Sequence, residues 1–318
     1  MWRYVVKRLL WLIVIMLCVA LMIFTIMWFV PGDPARLILG NGVTDADVQA
    51  LRDQMGLNDP FLVQLGRYMY DTFIKFDLGM SYSLKAPVID EFVKRLPRTM
   101  GLGIISVCIN ILIGIPIGIN CALHHNTLRD RSLLVGSMAL ISIPQFWLAL
   151  MMVILFTREL GWLPGYGIDS WKCWIMPVIA NSVSGIAMNA RQTRSAVLET
   201  IRADFVTTAK AKGLPHNKVI YKHMLPNAMI PIVNSLGGQL AMIVSGTVVI
   251  ESVFTFPGIG LYMLSGINAR DYPVIRSCVL ILALFSAIIT LLVDITYGYL
   301  DPRIKAQFEN YAAKKGGR

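Results

Sequence analysis

From Leu9 to Val30 the chain runs for 22 residues without a charged side chain, and no other feature narrows the possible folds as much. A bilayer core about 30 Å thick calls for about 20 consecutive apolar residues in a helix. Five further apolar runs follow, at residues 99–123, 133–157, 174–197, 228–254 and 274–300. The whole chain of 318 residues is 56% hydrophobic and 15% charged, well short of the roughly 25% charge of soluble domains. The sequence therefore predicts an all-α polytopic membrane protein with six transmembrane helices.

The first run follows Arg3, Lys7 and Arg8, as the apolar core of a secretory signal would. It is longer than the 7–15 apolar residues of a cleaved signal and ends in "FVPGDP" with no small-residue cleavage site, so it reads as a retained span. Basic residues in short loops set orientation. With the N-terminus inside, the inner segments 1–8, 124–132, 191–226 and 299–318 hold 17 Lys and Arg, against three (Arg158, Lys172 and Arg270) in the short outer loops. Both termini are thus expected in the cytoplasm, with the chain multi-pass in the membrane. The formal net charge of +10 is a topology signal, and it argues against a nucleic-acid partner, whose footprint would be a basic soluble face.

Four regions follow. Residues 1–30 form a cytoplasmic tip and the first span, 31–98 an extracytoplasmic insertion, 99–300 a core of five spans that includes a cytoplasmic loop at 198–226, and 301–318 a cytoplasmic tail. Within the insertion, Thr44 with Asp45 and Asp47 reads as a capped helix start and Gly56 as its stop. Val88, Ile89, Phe92, Val93 and Leu96 recur at helical spacing as one face of a short helix. "GIPIG" at 114–118 is a small-xxx-small pattern that suits close helix packing.

Catalytic constellations are missing. All four histidines fall in predicted cytoplasmic loops, and there is no H-E-x-x-H, G-x-S-x-G or Walker P-loop. The five cysteines show no C-x-x-C pair, so neither a metal site nor a catalytic site is expected. The chain is not expected to hydrolyse ATP or to bind a cofactor. Ionisable residues at membrane depth mark transport paths by default, and here Glu251 and Asp294 are the weak candidates. Glu251 and Arg276 read as interfacial, with snorkelling heads, whereas Asp294 lies deeper. An ion-coupled secondary transporter would rely on Asp294 and Glu251, and is the alternative from another class.

The most structured polar stretch is "FVTTAKAKGLPHNKVIYKHMLPN", 205–227. Leu198, Ile201, Phe205, Thr208 and Ala209 recur at helical spacing, so one amphipathic helix is expected to leave the membrane here. Gly213 suits a left-handed stop, and Pro215 suits the first turn of a second helix that Leu225 and Pro226 end. A helix, a bend and a helix with a basic rim suit a groove on another protein; a basic helix lying on anionic lipid is the alternative.

The spacing resembles the "EAA" loop of the permease subunits of ATP-binding-cassette importers. In that loop E-A-A is followed by three residues, a Gly, nine residues and I-x-L-P. The corresponding positions here are Thr207, Thr208, Ala209, Gly213, His223, Leu225 and Pro226, with Thr207 in place of the acid. "AKAKGL" is similar to the form found in the dipeptide, oligopeptide and nickel branch. So are "VPGDPA", "DLGMSYSLKAPV", "ESVFTFPGIG" and "DPRI", which lie in family order along the chain.

The resemblance implies a type I importer permease with a cytoplasmic coupling helix. Its partners would be a second homologous permease subunit, two ATPases that hold ATP and Mg, and an extracytoplasmic solute-binding protein. The long insertion marks the larger-insertion subunit of the pair. Phe205, Thr207, Thr208, Ala209, Lys212, Gly213, Leu225 and Pro226 would carry the ATPase coupling, with Phe205, Thr208 and Ala209 on the face that enters the ATPase groove. Peptide is the implied cargo, with nickel or another small solute as the alternative within the family.

Overall fold

The computed structural model describes residues 2–40 and 42–300, apart from the side chains of residues 2–5, 230, 234, 241–246, 294 and 296–300. The expected tail at 301–318 and the side chain of Asp294 lie outside the described residues. The described chain is helical, in the order α1 (Trp2–Phe29), α2 (Pro34–Leu39), α3 (Asp45–Gln54), α4 (Phe61–Phe73), α5 (Val88–Ile109), α6 (Ile115–Leu123), α7 (Leu128–Ser142), α8 (Gln145–Met152), α9 (Lys172–Ile201), α10 (Asp204–Ala211), α11 (His216–Lys218), α12 (Leu225–Gly246), α13 (Val248–Val253), α14 (Ile259–Asn268) and α15 (Tyr272–Leu300). Three stretches take the wider π turn: Asn110–Gly114, Val153–Glu159 and Val219–Met224.

Among the described residues four helices are long and apolar enough to cross a membrane: Val6–Phe29, Val88–Leu123, Lys172–Ile201 and Tyr272–Val293. The short helix expected at 88–96 and the span expected at 99–123 are one helical stretch of 36 residues. The charged turn from Asp90 to Arg98 interrupts the apolar run but not the backbone. The run at 133–157 is not a straight span. It is two helices, Leu128–Ser142 and Gln145–Glu159, bent by 91°. Pro144 causes the break, because it has no N–H to donate and forces the preceding residue out of the helical region; Ile143 is extended, with φ −75° and ψ 121°. The run at 228–254 falls on α12 and α13, which meet at Thr247.

Contacts divide the chain into two compact units. In the first, residues 100–256 with 289–300, α9 is the hub on which α6, α7, α8 and α12 pack. The glycines of "GIPIG" face it directly. A Cβ added to Gly118 would lie 2.6 Å from Cβ of Thr193, and one added to Gly114 would lie 2.8 Å from Cβ of Asn189. The pattern is thus a packing seam, as small residues between membrane helices usually are. Leu102, Met176, Ile250, Phe254 and Phe256 are buried in one apolar cluster of the unit, where Trp174 stands edge-on to Phe256 at 4.8 Å.

The second unit, residues 2–99 and 257–288, holds the insertion. Thr44 caps α3 in a reciprocal box with Asp47, and Gly56 takes the positive φ of 65° that ends it. Phe24 on α1 stacks on Tyr68 of α4 at 5.3 Å and meets Phe61 edge-on at 5.6 Å. Val88 and Phe92 are buried with Ile259, Tyr262, Val274 and Cys278, whereas Ile89 and Val93, placed on the same face by their spacing, are exposed.

Candidate functional site

The loop between the fourth and fifth expected spans has a defined shape. Helix α9 ends at Ile201, and Ala203 is extended with ψ 146°. The expected single amphipathic helix is therefore two helices, α9 and α10, joined by two non-helical residues. Asp204 opens α10, where a carboxylate favours the positive end of the helix dipole. Thr208 donates its hydroxyl to the Asp204 carbonyl at 2.9 Å. Lys212 caps α10, and Gly213 then adopts φ +74°, the left-handed region that costs an L side chain about 1–2 kcal/mol.

The chain returns through His216–Lys218 and the π turns of Val219–Met224. Contrary to the sequence expectation, Leu225 and Pro226 do not end this second helix. Pro226 lies in the first turn of α12, and the backbone stays helical from His216 to Gly246. The wider π turn just before it absorbs the proline, which has no N–H to give to an α-type bond and clashes with the carbonyl four residues back.

Eight candidate residues thus sit on one hairpin of helices, but not on one face. Phe205, Thr207, Thr208, Lys212, Gly213 and Pro226 are exposed, and Leu225 is half-buried. Ala209 is buried with Val206 against Val197, Val219, Ile220, Met224 and Ala228. Helix α10 is therefore two-sided: Val206 and Ala209 hold it to its own chain, and Phe205 and Thr208 point away. The expected grouping of Ala209 with Phe205 and Thr208 gives way to this division.

Where α7 begins beside α9 lies an ionic cluster that motif reading missed. Asp130, 1% exposed, takes both Arg194 nitrogens, Nε on one carboxylate oxygen and Nη2 on the other at 2.8 Å. The Asn126 N–H donates to the same carboxylate at 3.0 Å, and His125 Nδ1 lies 3.2 Å from it. A bidentate pair of this kind fixes geometry as well as charge. The available signal was small: Asp130 is the one acidic residue in a basic inner loop.

Deeper in the same unit, neutral polar groups pair where charges were sought. Asn189 and Gln239 exchange amide hydrogen bonds between α9 and α12, and Gln145 donates to Asn181 at 2.9 Å. Glu251 does not snorkel. It is fully buried and accepts from the Thr247 hydroxyl at 3.0 Å. No group of three or more His, Cys, Asp or Glu with metal-binding geometry occurs among the described residues.

In the second unit, the segment "DLGMSYSLKAPV" closes on itself, with Ser81 N–H to the Ala86 carbonyl at 2.9 Å and Val88 N–H to the Gly79 carbonyl at 3.1 Å. Asp271, 1% exposed, clamps it by accepting from the Ser81 and Ser83 hydroxyls, each at 2.7 Å, and from the Ser83 N–H at 3.0 Å. Burial on its own would raise the Asp271 pKa; the donated hydrogen bonds outweigh it and hold the carboxyl below its ordinary 3.8.

Comparison with known proteins agrees along the chain. Residues 114–306 match the family profile "Binding-protein-dependent transport system inner membrane component", and residues 1–103 match its companion for the N-terminal part. The chain is 37% identical to the dipeptide transport system permease protein DppB of Alkalihalophilus pseudofirmus, over 96% of this chain and 100% of that protein. It is 39% identical to the glutathione transport system permease protein GsiC of Salmonella paratyphi A, over 96% and 99%. Among solved structures, an inward-facing form of the MetNI methionine ABC transporter superposes with a TM-score of 0.58 at 19% identity, over 67% of this chain and 97% of that one. An amino acid ABC transporter superposes with a TM-score of 0.53 at 15% identity, over 66% and 94%. At these identities the superpositions speak for the fold alone.

Proposed function

This chain belongs to the binding-protein-dependent transport system inner membrane component family, the permease subunits of ATP-binding-cassette importers, and on that premise we propose that its cargo is a di- or oligopeptide. An external binding protein delivers the peptide, and this chain supplies half of the translocation path beside a second, homologous permease subunit. The observation that carries the reading is end-to-end likeness to relatives named for dipeptide and for glutathione. Glutathione is itself a short peptide, so the two share backbone amides and free carboxylates.

Two separate ATPase subunits hold ATP and Mg and dock on the loop around α10. Its exposed residues Phe205, Thr208 and Lys212, the bend at Gly213 and the apolar anchoring of Val206 and Ala209 support that role. Closure of the ATPases on ATP draws the two docked loops together and rocks the bundles between inward-open and outward-open, a rigid-body switch of packed helices. Thr207 stands where the fuller motif has an acid, so docking rests on shape and apolar contact.

The test is reconstitution with the native partner subunits in vesicles. Uptake of dipeptides that needs ATP and the binding protein, and that survives collapse of the proton and sodium gradients, is the expected result. Uptake that follows an ion gradient without any ATPase would overturn it, and a nickel chelate as the sole stimulus of ATP hydrolysis would overturn the peptide assignment.

A further inference from the structure

The second unit contains a cleft of about 440 Å³ between α1, α4, the loop at 77–82 and the start of α15, within the size range of small-ligand sites. Its lining carries three Arg (Arg52, Arg67, Arg276) and three Asp (Asp33, Asp71, Asp77), so its formal charges balance. The acids are engaged within the insertion. Asp33 pairs with Arg52 at 3.3 Å, Asp71 with Lys75 at 2.8 Å, and Asp77 accepts from the Gly79 N–H at 2.8 Å. Arg67 is paired with Asp59 at 2.6 Å.

Arg276 differs. Among the described residues no carboxylate pairs with it. Its guanidinium lies over the rings of Tyr68 at 5.1 Å and Phe24 at 5.7 Å, and its Nε reaches the Tyr272 carbonyl at 3.4 Å. Two more groups lining the cleft, the Tyr272 hydroxyl and Nε of Arg52, are buried without a hydrogen-bond partner among the described residues. A buried donor left unsatisfied costs about 1–3 kcal/mol, so this set of donors calls for an acceptor.

The surroundings indicate which acceptor. The α1 wall of the cleft is Phe24, Met27 and Trp28, near the end of a helix apolar enough to cross the membrane, and the neighbouring Met22, Ile26 and Phe29 are exposed. Tyr and Trp gather at the level of lipid head groups. Helix α4, which lines the other side and packs on α1 through Phe61 and Tyr68, exposes Leu62, Val63 and Tyr70, followed by Ile74 and Phe76, apolar side chains that suit insertion into a leaflet. The geometry points to a binding site for one zwitterionic phospholipid, its phosphate on Arg276 and the Tyr272 hydroxyl, its amine sharing the Asp33 and Asp71 carboxylates, which stay 26% and 34% exposed beside their present partners, and its acyl chains along α1. The lipid staples the insertion to the membrane surface, a role separate from the passage of cargo and from ATPase docking.

The test is native mass spectrometry of the assembled transporter taken from nanodiscs containing equal phosphatidylethanolamine and phosphatidylglycerol. One retained phosphatidylethanolamine per complex is expected, with retention falling about tenfold in Arg276→Gln, as loss of a charged hydrogen bond implies. Tyr272→Phe removes one oxygen and preserves packing, so the several-fold loss expected there cannot be assigned to misfolding. Arg158→Gln, an exposed position in the other unit, should retain the lipid as the unaltered protein does. Equal retention by Arg276→Gln and the unaltered protein, preference for phosphatidylglycerol, or displacement of the lipid by a dipeptide or inorganic phosphate would each overturn the assignment.

Discussion

Arg194, about two turns before the end of α9, holds both carboxylate oxygens of Asp130 in the first turn of α7. The pair ties the helix that leads into α10 to the hairpin beside it. Breaking a buried pair from one side leaves an uncompensated charge and costs about 3–5 kcal/mol. Asp130→Ala should therefore lower the thermal unfolding midpoint of the protein in nanodiscs, and Asp130→Ala with Arg194→Met should recover part of the loss. The double-mutant cycle checks this, and additive effects would show that the two residues do not interact.

Gly213 owes its conformation to the backbone and not to crowding, since nothing lies within 4 Å of an added Cβ. Gly213→Ala should cost about 1–2 kcal/mol locally, and Gly213→Val more. Both should lower peptide uptake per ATP hydrolysed in reconstituted vesicles while leaving the transporter assembled. Unchanged stoichiometry in the Val variant would remove Gly213 from the coupling device.

Adjacent positions on α10 should behave oppositely. Thr208→Cys is predicted to cross-link to the docked ATPase in a nucleotide-dependent way. Ala209→Cys, buried against the apolar cluster, should resist both the cross-linker and water-soluble maleimide. Equal labelling at 208 and 209 would contradict the two-sided helix.

Asp271 makes the insertion sensitive to acid. Its folded pKa is depressed, so its contribution to stability is fully present above the unfolded value and is lost as pH falls through the folded one. Unfolding midpoints measured from neutral pH to below 3.8 should fall more steeply for the unaltered protein than for Asp271→Asn. Ser81→Ala with Ser83→Ala, which removes the side-chain donors, should flatten the profile in the same way. Parallel profiles would rule out Asp271 as the acid-sensitive group.

Gly118 tolerates no side chain. Gly118→Val would drive methyl groups into Thr193, and overpacking of this kind costs about 1–3 kcal/mol. The expected readout is a lower unfolding midpoint together with faster hydrogen exchange along α6 and α9.

Run length and charge pattern made the helical class legible, because lipid permits so few alternatives. Gly56, Gly213 and the box of Thr44 with Asp47 were legible because each marks a backbone state with a specific side-chain requirement. Pro144, Pro226 and Pro97 were harder to read: one breaks the helix, one is carried over a π turn and one stays inside α5, and only the neighbouring packing decides which. Burial of Ala209, and the pairing of Asp130 with Arg194 across 64 positions, depend on contacts far apart in the chain. Asn189 and Gln239 escaped a search for charges because amides can satisfy one another without ionising.

The glycine seam between α6 and α9 has a mechanical consequence. Gly114 and Gly118 meet the facing helix with no side chain of their own, so there are no rotamers there to yield under load. A push arriving at α10 meets its soft point earlier, at the two non-helical residues Arg202 and Ala203. Under the proposed coupling role, α9 and α6 would move together beyond that joint, and the freedom left to α10 would be set by those two residues and by the packing of Val206 and Ala209 with Val197.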